Sequence, residues 1–202
     1  MDAAVKNVLD IYHARIQEEQ RLRDAGMGMR DLDRLLLAVG PDTGRLINLL
    51  ARSLVRPTIL ELGTSYGYST IWLAEAAKAV GGRVITMELQ EYKAGHAREM
   101  AQQAGLDAVI DFQVGDALQL LDQTMLRFDF VLVDLWKDLY EPCLDRFHPK
   151  LNAGAIIVSD NMIRPGGPVA HSYRRALLRK SGISSVLLPV GSGVEVSRYG
   201  VD

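Results

Sequence analysis

The stretch ILELGTSYGYST, residues 59–70, decides the fold. It reads as an apolar strand that ends in a glycine turn and leads into a helix, the arrangement at which nucleotide-containing cofactors bind. The usual dinucleotide loop is G-x-G-x-x-G, but here Gly63 and Gly67 bracket three other residues and the middle glycine is absent. The loop also holds no Lys or Arg and no G-K-[ST] ending, so a phosphate-binding loop is not indicated.

Apolar, strand-like runs recur along the rest of the chain and alternate with helical segments rich in Ala and Leu. The strand-like runs are 58–62, 83–88, 109–114, 128–133 and 154–159. The helical segments between them are 69–80, 91–104, 117–126 and 138–147. Short apolar strands that alternate with helices predict a parallel sheet covered on both faces.

The C-terminal region follows a different pattern. Residues 183–190 and 194–201 are two strand-like runs separated only by Gly191-Ser192-Gly193, which predicts a hairpin. The predicted fold is therefore α/β and Rossmann-like. It has a doubly wound, mostly parallel seven-stranded sheet, an antiparallel C-terminal hairpin strand, and helices on both faces.

The region before the first strand is predicted to be helical. Apolar residues recur at helical spacing in 3–24, in a second piece that ends at Gly40-Pro41, and in a third piece that Asp42 or Thr43 can cap. The apolar residues of the second piece are Leu32, Leu35, Leu36 and Val39. We expect a single domain, 1–202, in which 1–56 form a helical cap and 57–202 a Rossmann-like core. The helices up to 27–36 are the candidate cover of the site.

Composition excludes several classes of function. The 202 residues carry a formal net charge of −2, so no strong field attracts nucleic acid or an anionic membrane. No apolar run approaches the roughly 18 residues that a membrane span needs, and the N-terminus lacks the apolar core of a signal peptide. The single cysteine, Cys143, is interpreted as a packing residue. The cytoplasm is the expected location.

Each of the five parallel strands is followed or ended by an acidic residue. These residues are Glu61, Glu88, Asp116, Asp134 and Asp160. In open α/β sheets ligands bind at the carboxyl ends of the strands, near the point where the strand order reverses. The acidic residues therefore mark the candidate site.

The residues around the glycine turn indicate the kind of cofactor. Ser65, Ser69 and Thr70 offer hydroxyls that suit a zwitterionic amino-acid tail better than a pyrophosphate. Glu88 follows the glycine turn by about the 20 residues that usually separate such a turn from the acid that binds ribose. Asp116 can accept a hydrogen bond from an adenine amino group. Ribose, adenine and an amino-acid tail without phosphates describe S-adenosylmethionine. The competing interpretation is that each acid caps a helix or is solvated.

A second cluster suggests a metal. Asp134, Asp160 and Asn161 are hard oxygen ligands at two neighbouring strand ends, and such a set suits Mg²⁺ or a similar cation. The alternative is that Asn161 is a turn residue and Asp160 a helix cap.

Several motifs resemble the cation-dependent O-methyltransferases. D-L-W-K-D-L-Y, residues 134–140, resembles the D-H-W-K-D-R-Y of catechol O-methyltransferases. S-D-N-M-I-R-P-G-G-P, L-E-L-G-T-S-Y-G-Y-S and T-M-E resemble the same family's metal loop, first glycine loop and ribose acid. The caffeoyl-coenzyme A O-methyltransferases are similar. The resemblance runs from about Val39 to Tyr199.

The resemblance implies a role for each matching residue. Asp134, Asp160 and Asn161 would hold Mg²⁺, or Ca²⁺ or Mn²⁺, and Lys137 would be the catalytic lysine. The implied cofactor residues are Val39, Glu61, Gly63, Ser65, Ser69, Glu88, Asp116, Ala117, Asp134 and Trp136. The implied reaction is metal-dependent O-methylation by S-adenosylmethionine of a small vicinal dihydroxy aromatic. Relatives include monomers and dimers, so a homodimer is left open.

The chain departs from the catechol enzymes at one place. Their glutamate that grips the second hydroxyl would fall near Val186, where no acid lies, and Glu195 matches a different position. A different acceptor therefore stays open, as does a non-catalytic S-adenosylmethionine-binding protein. An oxidoreductase of the same architecture is disfavoured, because the dinucleotide loop is absent. Arg164 is a candidate contact for an anionic substrate, whereas His171 and Tyr173 are interpreted as packing and capping residues.

Overall fold

A computed structural model describes residues 1–26 and 34–200. The helices are α1 (Ala3–Asp24), α2 (Pro41–Arg52), α3 (Tyr68–Val80), α4 (Glu91–Gln103), α5 (Ala117–Gln123), α6 (Tyr140–Phe147) and α7 (Gly167–Arg179). The strands are β1 (Thr58–Leu62), β2 (Arg83–Glu88), β3 (Ile110–Val114), β4 (Phe128–Val133), β5 (Leu151–Ser159), β6 (Ile183–Leu188) and β7 (Val194–Tyr199).

The strands form one seven-stranded sheet in the order β3-β2-β1-β4-β5-β7-β6. The first five are parallel, and β7 lies antiparallel to both β5 and β6. The predicted fold class is confirmed. The strand order reverses between β1 and β4, which puts the expected ligand crevice at the carboxyl ends of these two strands.

Side chains that alternate along each strand supply two separate cores. Ile59 and Phe130 pack on the face covered by α1 to α4, whereas Leu60 and Val131 pack on the face covered by α5 to α7. This two-sided burial is the reason that the strands read as nearly continuous apolar runs. The first two helices share the core of the first face, because Val5, Val8 and Leu9 of α1 and Ile47 of α2 belong to it.

The second predicted N-terminal helix is wrong for residues 35–40, which form no regular helix. Leu37 adopts a positive φ of 48°, a left-handed conformation that interrupts a right-handed helix. The remainder of that prediction, and of the predicted cover at 27–36, falls at 27–33, outside the described residues.

Two other boundaries differ from the prediction. Helix α5 ends at Gln123 rather than at 126, because Thr124 is extended and its hydroxyl accepts the Leu126 N–H at 3.2 Å. Strand β5 starts at Leu151 rather than at 154. Side-chain bonds from Arg127 to Asn152 and from Asn152 to Asp129, at 3.1 and 2.8 Å, hold this added length beside β4.

Within the two described ranges, every helix is too short or too polar to cross a lipid bilayer.

Candidate active site

The hydrogen-bond ladder of the sheet continues just past the strand ends and brings the acidic residues into one row. The N–H of Gly63 donates to Met87 O at 3.0 Å, and that of Asp134 donates to Leu62 O at the same distance. The N–H of Asp160 donates to Val133 O at 3.1 Å. The ends of β2, β1, β4 and β5 are therefore held side by side at the edge where α/β proteins bind ligands.

The two glycines of the turn are required by neighbouring protein atoms. Gly63 has a φ of 98°, and a Cβ there would collide with the carbonyl of Asp134. Gly67 has a φ of 94°, and a Cβ there would lie 2.7 Å from Cβ of Ala97 and 3.2 Å from the Tyr12 hydroxyl. Close packing of strand, loop and helix is therefore the immediate reason for both glycines.

Glu61 is fully buried beneath the glycine turn. Its carboxylate accepts hydrogen bonds from the hydroxyls of Ser69, Thr70 and Thr86, each at 2.6 Å. Burial raises the pKa of Glu61 to about 7, although the three hydroxyl donors oppose that rise. Glu61 thus joins β1 to β2 and to the first turn of α3. The predicted contacts of Glu61 and Ser69 with a cofactor remain predictions.

We expect Glu61→Gln to remove a pH dependence from the free energy of unfolding. A carboxyl whose folded pKa is raised from 4.5 to about 7 stabilises the fold below pH 4.5 and loses that contribution as pH rises through 7. The loss amounts to about 3 kcal/mol for a shift of this size. Urea denaturation at pH 5 and pH 8 should show the wild type losing stability relative to the Gln variant. Glu99→Gln, on an exposed side chain, is the control; parallel pH profiles for wild type and Glu61→Gln would refute the expectation.

Glu88 links the glycine turn to the segment after β2. One carboxylate oxygen accepts the N–H of Ser65 at 2.8 Å and the other accepts the N–H of Gln90 at 3.1 Å. Ser65 has a φ of 47°, so this contact stabilises an unfavourable turn conformation. Each oxygen keeps a second lone pair, so these contacts leave the predicted ribose interaction open.

The remaining predicted cofactor residues border the same edge of the sheet. Asp116 caps α5, with its Oδ1 accepting the Gln119 N–H at 3.0 Å, as the competing interpretation proposed. Ala117 follows it as the first residue of α5. Trp136 is 55% exposed, whereas Val39 is only 4% exposed in the segment before α2. Their contacts with a cofactor stay predictions.

Asp134, Asp160 and Asn161 meet at the ends of β4 and β5. Asp160 is fully buried, and its Oδ1 has no hydrogen-bond partner. Its Oδ2 accepts from the Asn161 amide at 3.3 Å. Asn161 adopts a φ of 56°, a left-handed conformation that Asn tolerates better than most residues.

Both carboxylates are electrostatically unfavourable as they stand. Burial, followed by the charge of Asp160, raises the pKa of Asp134 well above its ordinary value. Burial also raises the pKa of Asp160 to about 6, against the lowering effects of the Asn161 N–H and Lys137. A fully buried Asp160, a half-buried Asp134 and an unsatisfied oxygen form a cluster of negative charge that a hard divalent cation would stabilise.

The donor set fits a metal only when the amide is included. Residues 1–26 and 34–200 contain no group of three or more His, Cys, Asp or Glu side chains that could hold a metal ion. Asp134 and Asp160 supply two carboxylates, and the Oδ1 of Asn161 would be the third oxygen donor. Such a site would leave further positions for water or an acceptor hydroxyl.

Lys137 lies beside this oxygen cluster. Its Nζ is 3.3 Å from Asn161 Oδ1 and 3.5 Å from the hydroxyl of Tyr140, whose ring centre lies 4.7 Å away. Burial lowers the pKa of Lys137, and the carboxylates of Asp134 and Asp160 oppose that lowering. Tyr140, the last residue of the D-L-W-K-D-L-Y motif, for which no role was predicted, donates to Asp160 O at 3.1 Å and so joins the lysine to the end of β5.

Three further residues have hydrogen-bonding or ionic partners, and a fourth, Cys143, is buried in the core. The Arg164 guanidinium donates to Gly191 O at 2.8 Å, and the buried Tyr173 hydroxyl lies 2.6 Å from Ser159 Oγ. Cys143 is buried, and burial raises the pKa of its thiol to about 12. Glu195 is buried in β7 and pairs with Arg174 at 2.8 Å. These contacts agree with the packing interpretation of Tyr173 and Cys143.

Comparison with known proteins gives the family. The sequence pattern of the O-methyltransferase family matches residues 19–198. A catechol O-methyltransferase of Niastella koreensis is 33% identical over 153 residues, which cover 74% of this chain and 69% of that protein. A catechol O-methyltransferase of Mycobacterium tuberculosis is 38% identical over 137 residues, covering 67% and 62% of the two chains.

The solved structures agree with this result. The O-methyltransferase TomG from Streptomyces achromogenes, in complex with SAM, superposes with a TM-score of 0.76 at 26% identity, covering 100% of this chain and 91% of that one. The matched region includes the glycine turn, the row of strand-end acids and Lys137. The chain is an enzyme that belongs to the O-methyltransferase family.

Proposed function

We propose that this chain transfers the methyl group of S-adenosylmethionine to a hydroxyl of a small vicinal dihydroxy aromatic, with the help of a bound divalent cation. The observation that carries the proposal is the cluster of Asp134, Asp160 and Asn161 beside Lys137. Asp160 is fully buried, and its Oδ1 has no hydrogen-bond partner within the protein. A bound cation would give this oxygen the partner that a buried polar atom needs.

The methyl donor follows from the other half of the site. A structural relative at 26% identity has been solved in complex with SAM. In this chain the turn at Gly63 and the acids Glu88 and Asp116 lie along the same strand ends, with no cationic residue in the turn to bind a pyrophosphate. This supports a cofactor with ribose and adenine but without phosphates, and Mg²⁺, Ca²⁺ or Mn²⁺ as its companion ion.

The proposed acceptor rests on the two relatives named as catechol O-methyltransferases. A vicinal pair of hydroxyls can chelate a hard cation, so the oxygen cluster suits it. Val186, at the place of the glutamate that grips the second hydroxyl in the resemblance, is half exposed on the edge strand β6. This apolar residue favours, as the second candidate, an acceptor with a different arrangement of hydroxyls.

The residues of this chain divide the chemical work. When bound, the cation would acidify and orient the acceptor hydroxyl, and S-adenosylmethionine would supply an electrophilic methyl group. Lys137 would accept the hydroxyl proton at Nζ, which the lowering of its pKa by burial assists, or in its charged form would stabilise the developing oxyanion. Asp134, Asp160 and Asn161 would hold the ion, and Glu88 the ribose. Much of the rate would come from holding acceptor and methyl donor aligned.

Removal of divalent metal is expected to abolish product formation. Labelled S-adenosylmethionine would be incubated with catechols, caffeoyl esters and flavonoids, in Mg²⁺ and in EDTA, and transfer measured by mass spectrometry. We expect product in Mg²⁺, loss of at least a hundredfold in EDTA because the acceptor hydroxyl is then not acidified, and recovery on adding Mg²⁺.

Each result of that assay has a distinct meaning. Product that persists in EDTA would overturn the metal assignment and leave a metal-free methyltransferase. Transfer only to flavonoids that lack a vicinal pair of hydroxyls would favour the second candidate. Binding of S-adenosylmethionine without transfer to any acceptor would favour a non-catalytic binding protein.

A further inference from the structure

Helix α1 carries a charged pair that faces the glycine turn. Arg15 and Glu19, one helical turn apart, form an ion pair with a distance of 3.0 Å between Nε and Oε1. The Glu19 side chain is only 14% exposed, whereas that of its neighbour Glu18 is 59% exposed. Arg15 also donates from Nη2 to Arg34 O at 2.7 Å. A half-buried pair with fixed partners differs from the solvated pairs that usually line a surface helix.

Glu19 reaches beyond its own helix to the backbone that precedes α2. Its Oε1 accepts the N–H of Leu36 at 2.9 Å. The carbonyl oxygen of Leu36 accepts a hydrogen bond from the hydroxyl of Ser65 at 3.2 Å. The peptide groups of Leu36 thus connect α1 on one side to the glycine turn on the other.

This connection holds a strained segment. Leu37 has a φ of 48°, a left-handed conformation that costs a bulky residue energy and persists only where its surroundings impose it. The hydrogen bonds at Leu36 are immediately before the strained residue, and Val39 follows two residues after it. Glu19 therefore contacts the backbone three residues before Val39, at the same residue that accepts the Ser65 hydroxyl.

The same helix contacts the other part of the turn. The guanidinium carbon of Arg15 lies 4.3 Å from the centre of the Tyr66 ring, a cation–π contact. The hydroxyl of Tyr12 donates to Tyr66 O at 2.5 Å. Arg15 and Glu19 together hold Tyr66 and Leu36, which flank Ser65 in space.

We infer that the Arg15–Glu19 pair is a positioning element that sets the affinity for S-adenosylmethionine. The inference rests on the proposed function and on the predicted cofactor contacts of Val39 and Ser65. With the pair intact, the backbone at Leu36 and the turn at Ser65 already hold their binding positions before the cofactor binds. Without it, only a fraction of molecules would hold Leu36 and Ser65 in register, and the apparent Kd would rise in inverse proportion to that fraction.

The test is calorimetric titration of S-adenosylmethionine into the full chain in EDTA, so that neither metal nor turnover contributes. We expect Glu19→Ala to raise Kd by about tenfold, the effect of losing a hydrogen bond to a charged acceptor. Glu18→Ala, the matched control on the exposed neighbour, should stay within about twofold of wild type. Glu19→Gln should recover most of the affinity, because its amide oxygen can still accept the Leu36 N–H.

Arg15→Lys supplies a second route if Glu19→Ala does not fold. Lysine keeps the charge but cannot pair with Glu19, bond to Arg34 O and stack on Tyr66 at once, so Kd should rise several-fold. In turnover assays with metal, KM for S-adenosylmethionine should rise while kcat changes little.

Equal Kd for Glu19→Ala, Glu18→Ala and wild type would overturn the inference, as would failure of Glu19→Gln to recover any affinity. Wild-type binding without metal-dependent turnover would overturn the proposed chemistry alone, and wild type that does not bind would overturn both.

Discussion

Replacing Lys137 with Met is expected to lower kcat by about two to four orders of magnitude, the range typical for loss of a general base. Methionine keeps the length and apolar volume of the side chain but has no group that can accept a proton or face an oxyanion. The affinity for S-adenosylmethionine should stay close to that of wild type, because Lys137 contacts Asn161 and Tyr140 rather than the glycine turn.

Single-turnover rates and calorimetric titrations would check the two halves of this expectation separately. Lys78→Met, on an exposed lysine near the end of α3, is the matched control and should leave both quantities unchanged. Lys137→Arg distinguishes the two roles open to the lysine. A guanidinium keeps the charge but is not deprotonated, so an equally large loss in this variant indicates proton transfer. Substantial activity in Lys137→Arg would instead assign the residue to electrostatic stabilisation, and full activity in Lys137→Met would remove it from the mechanism.

The fold was readable from local sequence because the informative signals are local. Each strand is a short apolar run with a polar or glycine boundary, and all seven observed strands lie within three residues of their predicted bounds. The reversal of strand order between β1 and β4 was not itself predicted, because the βαβ alternation fits more than one strand order. The errors occur where tertiary contacts override the local pattern, as where Arg127 and Asn152 extend β5 backwards.

The site was predictable to a lesser degree. Acids at the ends of parallel strands must share one edge, so the neighbourhood of Asp134, Asp160 and Glu88 followed from topology. The contacts of each side chain at that edge did not follow. Glu61 bonds to Thr86 on another strand, and the residues around Asp116 fit a helix cap and a cofactor contact equally well. The hydroxyls of Ser69 and Thr70 illustrate the limit, since a pattern that suggested cofactor contacts also builds the bonds to Glu61.

The polar contacts of α1 left no signal in the sequence. Its apolar stripe predicted a packed helix, and Val5, Val8, Leu9 and Tyr12 are indeed buried. Arg15 and Glu19 look like any i, i+4 pair on a solvated face. Their partners at Leu36 and Tyr66 lie 17 or more residues away and include backbone atoms, which carry no sequence signature.

Replacing Asp160 with Asn is expected to have opposite effects on the metal-free and metal-bound protein. Without metal, the variant should be at least as stable as wild type near pH 8, because it removes a buried carboxylate that is repelled by the neighbouring carboxylate of Asp134. With metal, the variant lacks a charged ligand, so its affinity for Mg²⁺ and its rate of methyl transfer should both fall by orders of magnitude. A purely structural role for Asp160 predicts the reverse for the metal-free protein.

Thermal denaturation across a series of Mg²⁺ concentrations separates these possibilities. Wild-type Tm should rise with metal as expected for a ligand that binds only the folded state, whereas the Tm of Asp160→Asn should stay flat over the same range. Asp138→Asn removes an exposed carboxylate from the segment after β4, which also carries Asp134, and should retain the wild-type response. If Asp160→Asn kept both the Mg²⁺-dependent rise in Tm and the rate of methyl transfer, the ion would have to bind elsewhere. The unpartnered Oδ1 of Asp160 would then need a different explanation, such as a proton shared with Asp134. A loss of stability in the metal-free variant would also call for a different explanation of this oxygen, because it would mean that the Asp160 carboxylate stabilises the fold through protein contacts.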